Sequence, residues 1–153
     1  MSETASGQDH REYMTVEVGE QLFGLPIEGV HDVFRPENMT SVPRSRPEIA
    51  GVLNMRGRIV TSIDMRRRLD LPPRKADETA MAVGIEANGE SYGLIIDRVG
   101  EVLRLPTTSL DANPVNMDRG WAELSQGVYR LDERLMIVLD VTRVLAVLDD
   151  IAA

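Results

Sequence analysis

The chain contains no cysteine, which removes disulfides, thiolate nucleophiles and cysteine-ligated zinc together and suits a reducing compartment. Aromatic residues are scarce, with one Trp, three Tyr and two Phe, too few to build a stacking platform for nucleic-acid bases. His10 and His31 are the two histidines; neither has a second histidine at ligand spacing, so no metal site is expected and neither is assigned as a general base. Apolar runs are no longer than the five residues of Leu135 to Leu139, against the ~20 needed to cross a bilayer. The amino terminus, MSETASGQDHRE, lacks the apolar stretch of a signal peptide. Basic charge is also in deficit: 17 Lys and Arg against 25 Asp and Glu leave a net charge of −8. That balance argues against a nucleic-acid partner, because phosphate binding depends on clustered cations. The run Arg66-Arg67-Arg68 reads as a solvated helix face or flank. The glycines form neither GxGxxG nor a Walker loop, so nothing cradles a phosphate and no cofactor is expected. Together these absences predict a cytoplasmic protein with no direct membrane insertion.

What is present is a repeat. Gly24 to Arg35 reads GLPIEGVHDVFR and Gly93 to Arg104 reads GLIIDRVGEVLR, with six of twelve positions identical. A second echo follows in the same order: Gly51-Val52, Arg58, Asp64 and Leu69 recur 76 residues later as Gly127-Val128, Arg134, Asp140 and Leu145. Self-similarity at a fixed offset marks a duplicated structural unit. With 42% apolar residues over 153 positions, the chain can form one domain that buries roughly 70% of its unfolded surface.

Residues 1–11 are polar and without periodicity and are expected to be a disordered tail. The remainder, 12–153, reads as a single domain of two halves, about 12–70 and about 78–148, joined through Leu71-Pro72-Pro73-Arg74-Lys75. From Tyr13 the pattern alternates, turns at Gly19-Glu20 and returns through Gln21 to Ile27, a hairpin signal. Pro26 places a strand end or edge there, and Gly24 suggests a bulge or tight bend. Val30, Val33 and Phe34 are spaced as a helical turn leading into a strand. Val52-Leu53 and Ile59 to Ile63 flank a turn at Asn54-Met55-Arg56-Gly57, and Asp64 stands where a helix N-cap belongs. The second half repeats the scheme, with an Asn88-Gly89 turn, an irregular stretch from Pro106 to Gly120, a hairpin about Asp132-Glu133, and Asp140 capping a C-terminal helix. That helix puts Val141, Val144, Leu145, Leu148 and Ile151 on one face. About five strands per half predict a mainly β protein of two small barrel-like units with few short helices.

Catalysis has little support in these residues. Asp64 and Asp140 occupy matching positions and are the obvious pair of acids for a small-barrel hydrolase, yet each stands before a helix-like run, where a cap explains it. The clearest difference between the halves is Arg56 in one hairpin turn against Asp132 in the other. Arginine on a tight turn anchors a partner, merely solvates the hairpin tip, or pairs with a carboxylate of its own chain.

The segments GLPIEGVHDVF, PEIAGVLNMRGRIVTSIDMRRRL, YGLIIDRVGEVL and RLMIVLDVTRVL resemble the CheW family of bacterial chemotaxis coupling proteins, from about Tyr13 to Leu148. GVLNMRGRIV followed by Asp-Met-Arg is the most specific part, close to the family's Gly-Val-Ile-Asn-Leu-Arg-Gly and Asp-Leu-Arg. The resemblance implies two intertwined five-stranded SH3-like barrels about a shared core, without catalytic activity. It further implies partners: the regulatory domain of a CheA-type histidine kinase and the cytoplasmic tip of transmembrane chemoreceptors, in arrays at the inner membrane. Carried over by position, Val30, Asp32, Gly51, Asn54, Arg56 and Gly57 are expected to bind a partner. Ile27, Val30, Val33, Ile96 and Val99 are expected to line an apolar receptor groove between the halves. Pro26, Asp32 and Phe34 depart from the family pattern and bear on partner choice. The main alternative is a CheW paralogue serving a non-flagellar chemosensory pathway.

Overall fold

In a computed structural model, which describes residues 9–37, 39–75 and 77–148, the apolar and β-branched runs fold as antiparallel hairpins. The strands are β1 (His10–Val18), β2 (Gln21–Pro26), β3 (Val30–Phe34), β4 (Ile49–Met55), β5 (Arg58–Asp64), β6 (Met81–Ala87), β7 (Glu90–Ile96), β8 (Arg98–Pro106), β9 (Ser125–Arg130) and β10 (Leu135–Leu139). Three short helices, α1 (Met65–Arg68), α2 (Arg119–Leu124) and α3 (Val141–Val144), and 3-10 turns at Ile27–Gly29 and Thr107–Ser109 complete the order. Asn88 and Gly89 have φ of 54° and 80°, the left-handed pair that a two-residue type I′ hairpin turn requires, and Ala87 faces Glu90 across it.

The strands form two five-stranded sheets, β8-β1-β2-β10-β9 and β3-β6-β7-β5-β4, the SH3-like barrels one and two. Neither barrel is one half of the sequence. Barrel one takes the β1–β2 hairpin from the first half and three strands from the second; barrel two takes β6–β7 from the second and three from the first. Parallel pairing closes each exchange, with Gly24 opposite Val138 and Gly93 opposite Ser62. The stretch in which the two halves resemble each other most, Gly24 to Arg35 against Gly93 to Arg104, is the segment in which the chain leaves one sheet and enters the other.

In the exchanged hairpins β2 from Leu22 to Leu25, β6 from Ala82 to Ile85 and β7 from Gly93 to Ile96 are buried without a break, hence on both faces. Val16, Val18, Phe23 and Leu25 from barrel one and Val83, Ile85, Leu94 and Ile96 from barrel two form a shared central core. Opposite faces fill each barrel separately: Tyr13, Leu22, Tyr129, Met136 and Val138 in one, Leu53, Val60, Ala82 and Ile95 in the other.

Several sequence expectations need adjustment. His10 and Arg11, assigned to the tail, pair with Pro106 and Leu105 in β1; residues 1–8 lie outside the described residues. Gly24 is no bulge. It sits in register between β1 and β10, and a Cβ there would lie 2.7 Å from Met136 Cε, so any larger residue requires the Met136 side chain to move. The helical turn expected at Val30 to Phe34 falls earlier, at Ile27–Gly29, and Val30 to Phe34 is a strand. Helix α2, capped by Asp118 through Gly120 N and Trp121 N, was missed because six residues are too short for a periodic signal. In the C-terminal element Val144 and Leu145 are buried and Val141 and Leu148 pack on the central core, as the pattern predicts; Ile151 lies outside the described residues.

Candidate partner-binding site

The β4–β5 hairpin turns through Arg56 and Gly57, with φ of 55° and 85°, and Met55 faces Arg58 across it. This too is a type I′ turn, but its first position holds arginine where Asn88 stands in the other hairpin. A left-handed conformation costs an ordinary L-residue roughly 1–2 kcal/mol and is eased for asparagine. Asn54 Oδ1 supports the turn by accepting from Gly57 N at 2.8 Å. The Arg56 side chain is 81% exposed, and its Nε lies 2.9 Å from Asp32 Oδ2. Asp32 Oδ1 accepts from Val33 N at 2.9 Å. Two residues assigned separately to partner binding are therefore one ion pair. The intrachain reading of Arg56 is correct, and it still leaves most of the side chain in solvent.

Beside this pair, His31 Nε2 stands 2.7 Å from Glu86 Oε1. His31, Asp32, Met55, Arg56, Arg58, Glu86, Gly89 and Ser91 line a cleft of about 370 Å³ at the end of barrel two. Ile59, next to it in sequence, is 69% exposed. His31 corresponds to Gly100 in the other half, and there the reason is packing: a Cβ on Gly100 would collide with Thr15 Oγ1.

Gly51 is different from its neighbours in the motif. It is buried, with φ of 146°, and a Cβ would strike the Thr40 carbonyl oxygen; Gly127, at φ 143°, meets Asp111 O at 2.6 Å in the same way. Each follows or accompanies a slip in strand register and lets an isolated bridge form, Thr40 to Val52 and Asp111 to Val128. Backbone geometry thus explains Gly51 by itself.

Of the expected groove residues, Val30, Val33 and Val99 are half-buried and pack against the central core, and Ile27 is half-buried in the 3-10 turn. Ile96 is 1% exposed and belongs to that core. It offers no surface to a partner, because its place on β7 faces inward.

Sequence reasoning missed the densest charged cluster. Asp97, at the crossing from β7 to β8, accepts from Arg66 Nη2 at 2.8 Å, Arg74 Nη2 at 2.7 Å and Gly19 N at 2.8 Å. The side chains of Asp97, Arg66 and Arg74 are each 13% exposed. Burial opposes ionisation of Asp97, yet these donors outweigh it and hold the carboxyl below its usual value; the hydrogen bond to Asp97 in turn raises Arg66. Arg66 and Arg68 are accordingly not solvated as expected: Arg68 donates to Val144 O and Arg143 O, and of the three only Arg67 is exposed. The signal in the sequence was Arg74 itself, an arginine in a proline-rich linker.

The acids considered for hydrolysis cap separate helices. Asp64 accepts from Arg66 N and Asp140 from Arg143 N. Among the described residues, no group of three or more His, Cys, Asp or Glu gathers as a metal site, and no helix is long and apolar enough to cross a membrane.

Residues 12–149 match the model of the CheW-like domain. The chemotaxis protein CheW of Thermotoga maritima is 30% identical over 136 residues, covering 88% of this chain and 87% of that protein. CheW of Helicobacter pylori is 26% identical, covering 84% and 77%, and protein FrzA of Myxococcus xanthus 28%, covering 74% and 71%. The crystal structure of the scaffolding protein TtCheW from Thermoanaerobacter tengcongensis superimposes with a TM-score of 0.75 at 26% identity, covering 85% of this chain and 88% of that one. With the duplicated strands, the exchanged barrels and the Asn54-Met55-Arg56-Gly57 hairpin in place, the chain belongs to the CheW-like family.

Proposed function

We propose that this protein is a non-enzymatic adaptor that couples transmembrane chemoreceptors to a CheA-type histidine kinase in chemotaxis signalling. The observation that carries the reading is Arg56. It is held in a left-handed turn where asparagine would be cheaper, aimed by Asp32, and displayed to solvent in the hairpin that the family resemblance marks. Backbone strain kept at an exposed side chain argues for a functional demand, and arginine is a favoured interface anchor. The kinase regulatory domain would dock at this end of barrel two through Val30, Asp32, Asn54, Arg56 and Gly57, with Gly51 supporting the hairpin. The receptor tip would lie against Ile27, Val30, Val33 and Val99 as a packed helix. The protein would work in the cytoplasm, recruited to receptor arrays at the inner membrane. Titration of purified kinase regulatory domain into the protein tests the reading: saturable binding that weakens in Arg56→Ala supports it, and equal affinity with an unchanged melting temperature removes Arg56 from the interface.

A second reading is a CheW paralogue serving a non-flagellar pathway. The similarity to FrzA, a relative that carries another name, favours keeping it. Identifying the kinase and receptors that co-purify from native extract separates the two.

A further inference from the structure

We propose that β3 is a movable groove wall that transmits groove occupancy to the Arg56 hairpin, while β8, latched at Asp97, is the fixed wall opposite. The proposal rests on the adaptor reading above.

Strand β3 faces two ways because it is bulged. The register slips between Val30 and Asp32, and a bulge re-aims the side chains that follow it. Val30 and Val33 therefore both pack on the central core. Phe34 packs on the separate core of barrel two, and Asp32 Cβ lies 3.5 Å from where a Cβ on Gly84 would be. Asp32 also holds Arg56. A ligand pressing on Val30 and Val33 thus acts on the five-residue strand that aims Arg56, with one residue separating groove side chain from ion pair.

The two walls are equivalent in the duplication but not in how they are held. Glu28 and Asp97 occupy matching positions at the two crossings. Glu28 makes an exposed pair with Arg11 at 3.2 Å, which salt and solvent screen. Asp97 ties together the β1–β2 turn, α1 and the linker through Gly19, Arg66 and Arg74. Length adds to the contrast: β8 has nine residues and β3 five. Their exits differ too. After β3 the chain runs irregularly past Pro36, Pro43 and Pro47 to β4, whereas Thr107, just past β8, donates through its Oγ1 to Asp9 O at 3.0 Å. Seven positions of β8 pair with β1, against four of β3 with β6; a shorter ladder with screened ties opens locally at lower cost, so displacement falls on β3. Coupling between two sites through a shared element is reciprocal.

Two measurements on the full chain decide this. By hydrogen exchange, amides of Val30–Phe34 should exchange faster than those of Arg98–Leu103. Arg74→Ala, which leaves the Arg66 and Gly19 bonds intact, should speed β8 about tenfold and leave β3 unchanged; Asp97→Asn should do more, and Arg74→Ala serves alone if that variant does not fold. Equal exchange in β3 and β8 overturns the proposal. Next, the affinity of the kinase regulatory domain is measured with and without a saturating receptor-hairpin fragment. A change of about tenfold, reduced in Arg74→Ala because the groove then yields on both walls, is the expected result. If both partners bind but independently, the coupling is wrong and the adaptor reading stands; if neither binds, the adaptor reading falls and takes the coupling with it.

Discussion

Arg56 Nε lies 2.9 Å from Asp32 Oδ2, while the Arg56 backbone is held at φ 55°. The pair joins a hairpin tip from one end of the sheet to the strand that borders the opposite edge, for β3 and β4 are the outer strands of barrel two. With the Arg56 side chain 81% exposed, the pair is worth at most about 1 kcal/mol of stability. Its larger effect is to limit where Arg56 can point.

Replacing Arg56 separates binding from folding. Arg56→Ala is expected to weaken the kinase regulatory domain by ~2 kcal/mol, about thirtyfold. Arg56→Asn should weaken it as well while raising the stability of the free protein by up to ~1 kcal/mol, because asparagine tolerates the left-handed turn. Calorimetric titration and denaturant unfolding of both variants check the opposite signs.

The glycines of the hairpin should divide sharply. Gly51→Ala and Gly127→Ala each force a Cβ into a backbone carbonyl at positive φ and are expected to cost more than 3 kcal/mol, or to prevent folding. Gly57→Ala, with φ 85° and open space around it, should cost about 1 kcal/mol. Midpoints of urea unfolding compare them.

Asp97 makes stability fall in acid. Its folded-state pKa is lowered, so its contribution is complete above the unfolded carboxylate value of roughly 3.9 and disappears as pH drops through the lower folded value. Asp97→Asn is expected to destabilise by about 2–4 kcal/mol at pH 7, since it leaves Arg66 and Arg74 without their shared partner. The difference between wild type and variant should shrink between about pH 4 and pH 2, as followed by unfolding midpoints across that range.

Asp64 and Asp140 should behave as caps and nothing more. Asp64→Ala and Asp140→Ala each remove a side-chain acceptor from a helix start and should cost about 1 kcal/mol. Partner affinity should not change. A loss of coupling that exceeds the loss of stability would give these acids another role.

Local features were legible because they depend on neighbours in the chain. Asn88-Gly89 specifies its turn through left-handed φ, Asp64 and Asp140 announce helix starts, and Pro26 ends a strand, all without reference to the rest of the fold. Arg56, Asn54 and Gly57 were likewise found as a hairpin. Ile96 was assigned to the groove through the family resemblance, and alternation along β7 could not correct it, since both faces of that strand are apolar. Asp97 was overlooked because its three donors come from positions 19, 66 and 74, far apart in sequence.

The amino-acid sequence alone determined that the chain is a duplicated, mainly β protein, where its turns and caps lie, and which hairpin displays an arginine. These follow from residue-level backbone preferences and from periodicity. Only the tertiary structure decided that each barrel borrows its hairpin from the opposite half. A strand's apolar pattern is satisfied by any partner of the right length, and the choice was made by long-range pairing of β2 with β10 and of β5 with β7. That exchange brings Asp97 to Gly19 and Arg66 of the other half, while closure of barrel two brings Asp32 to Arg56, and the two similar halves become two unlike sides.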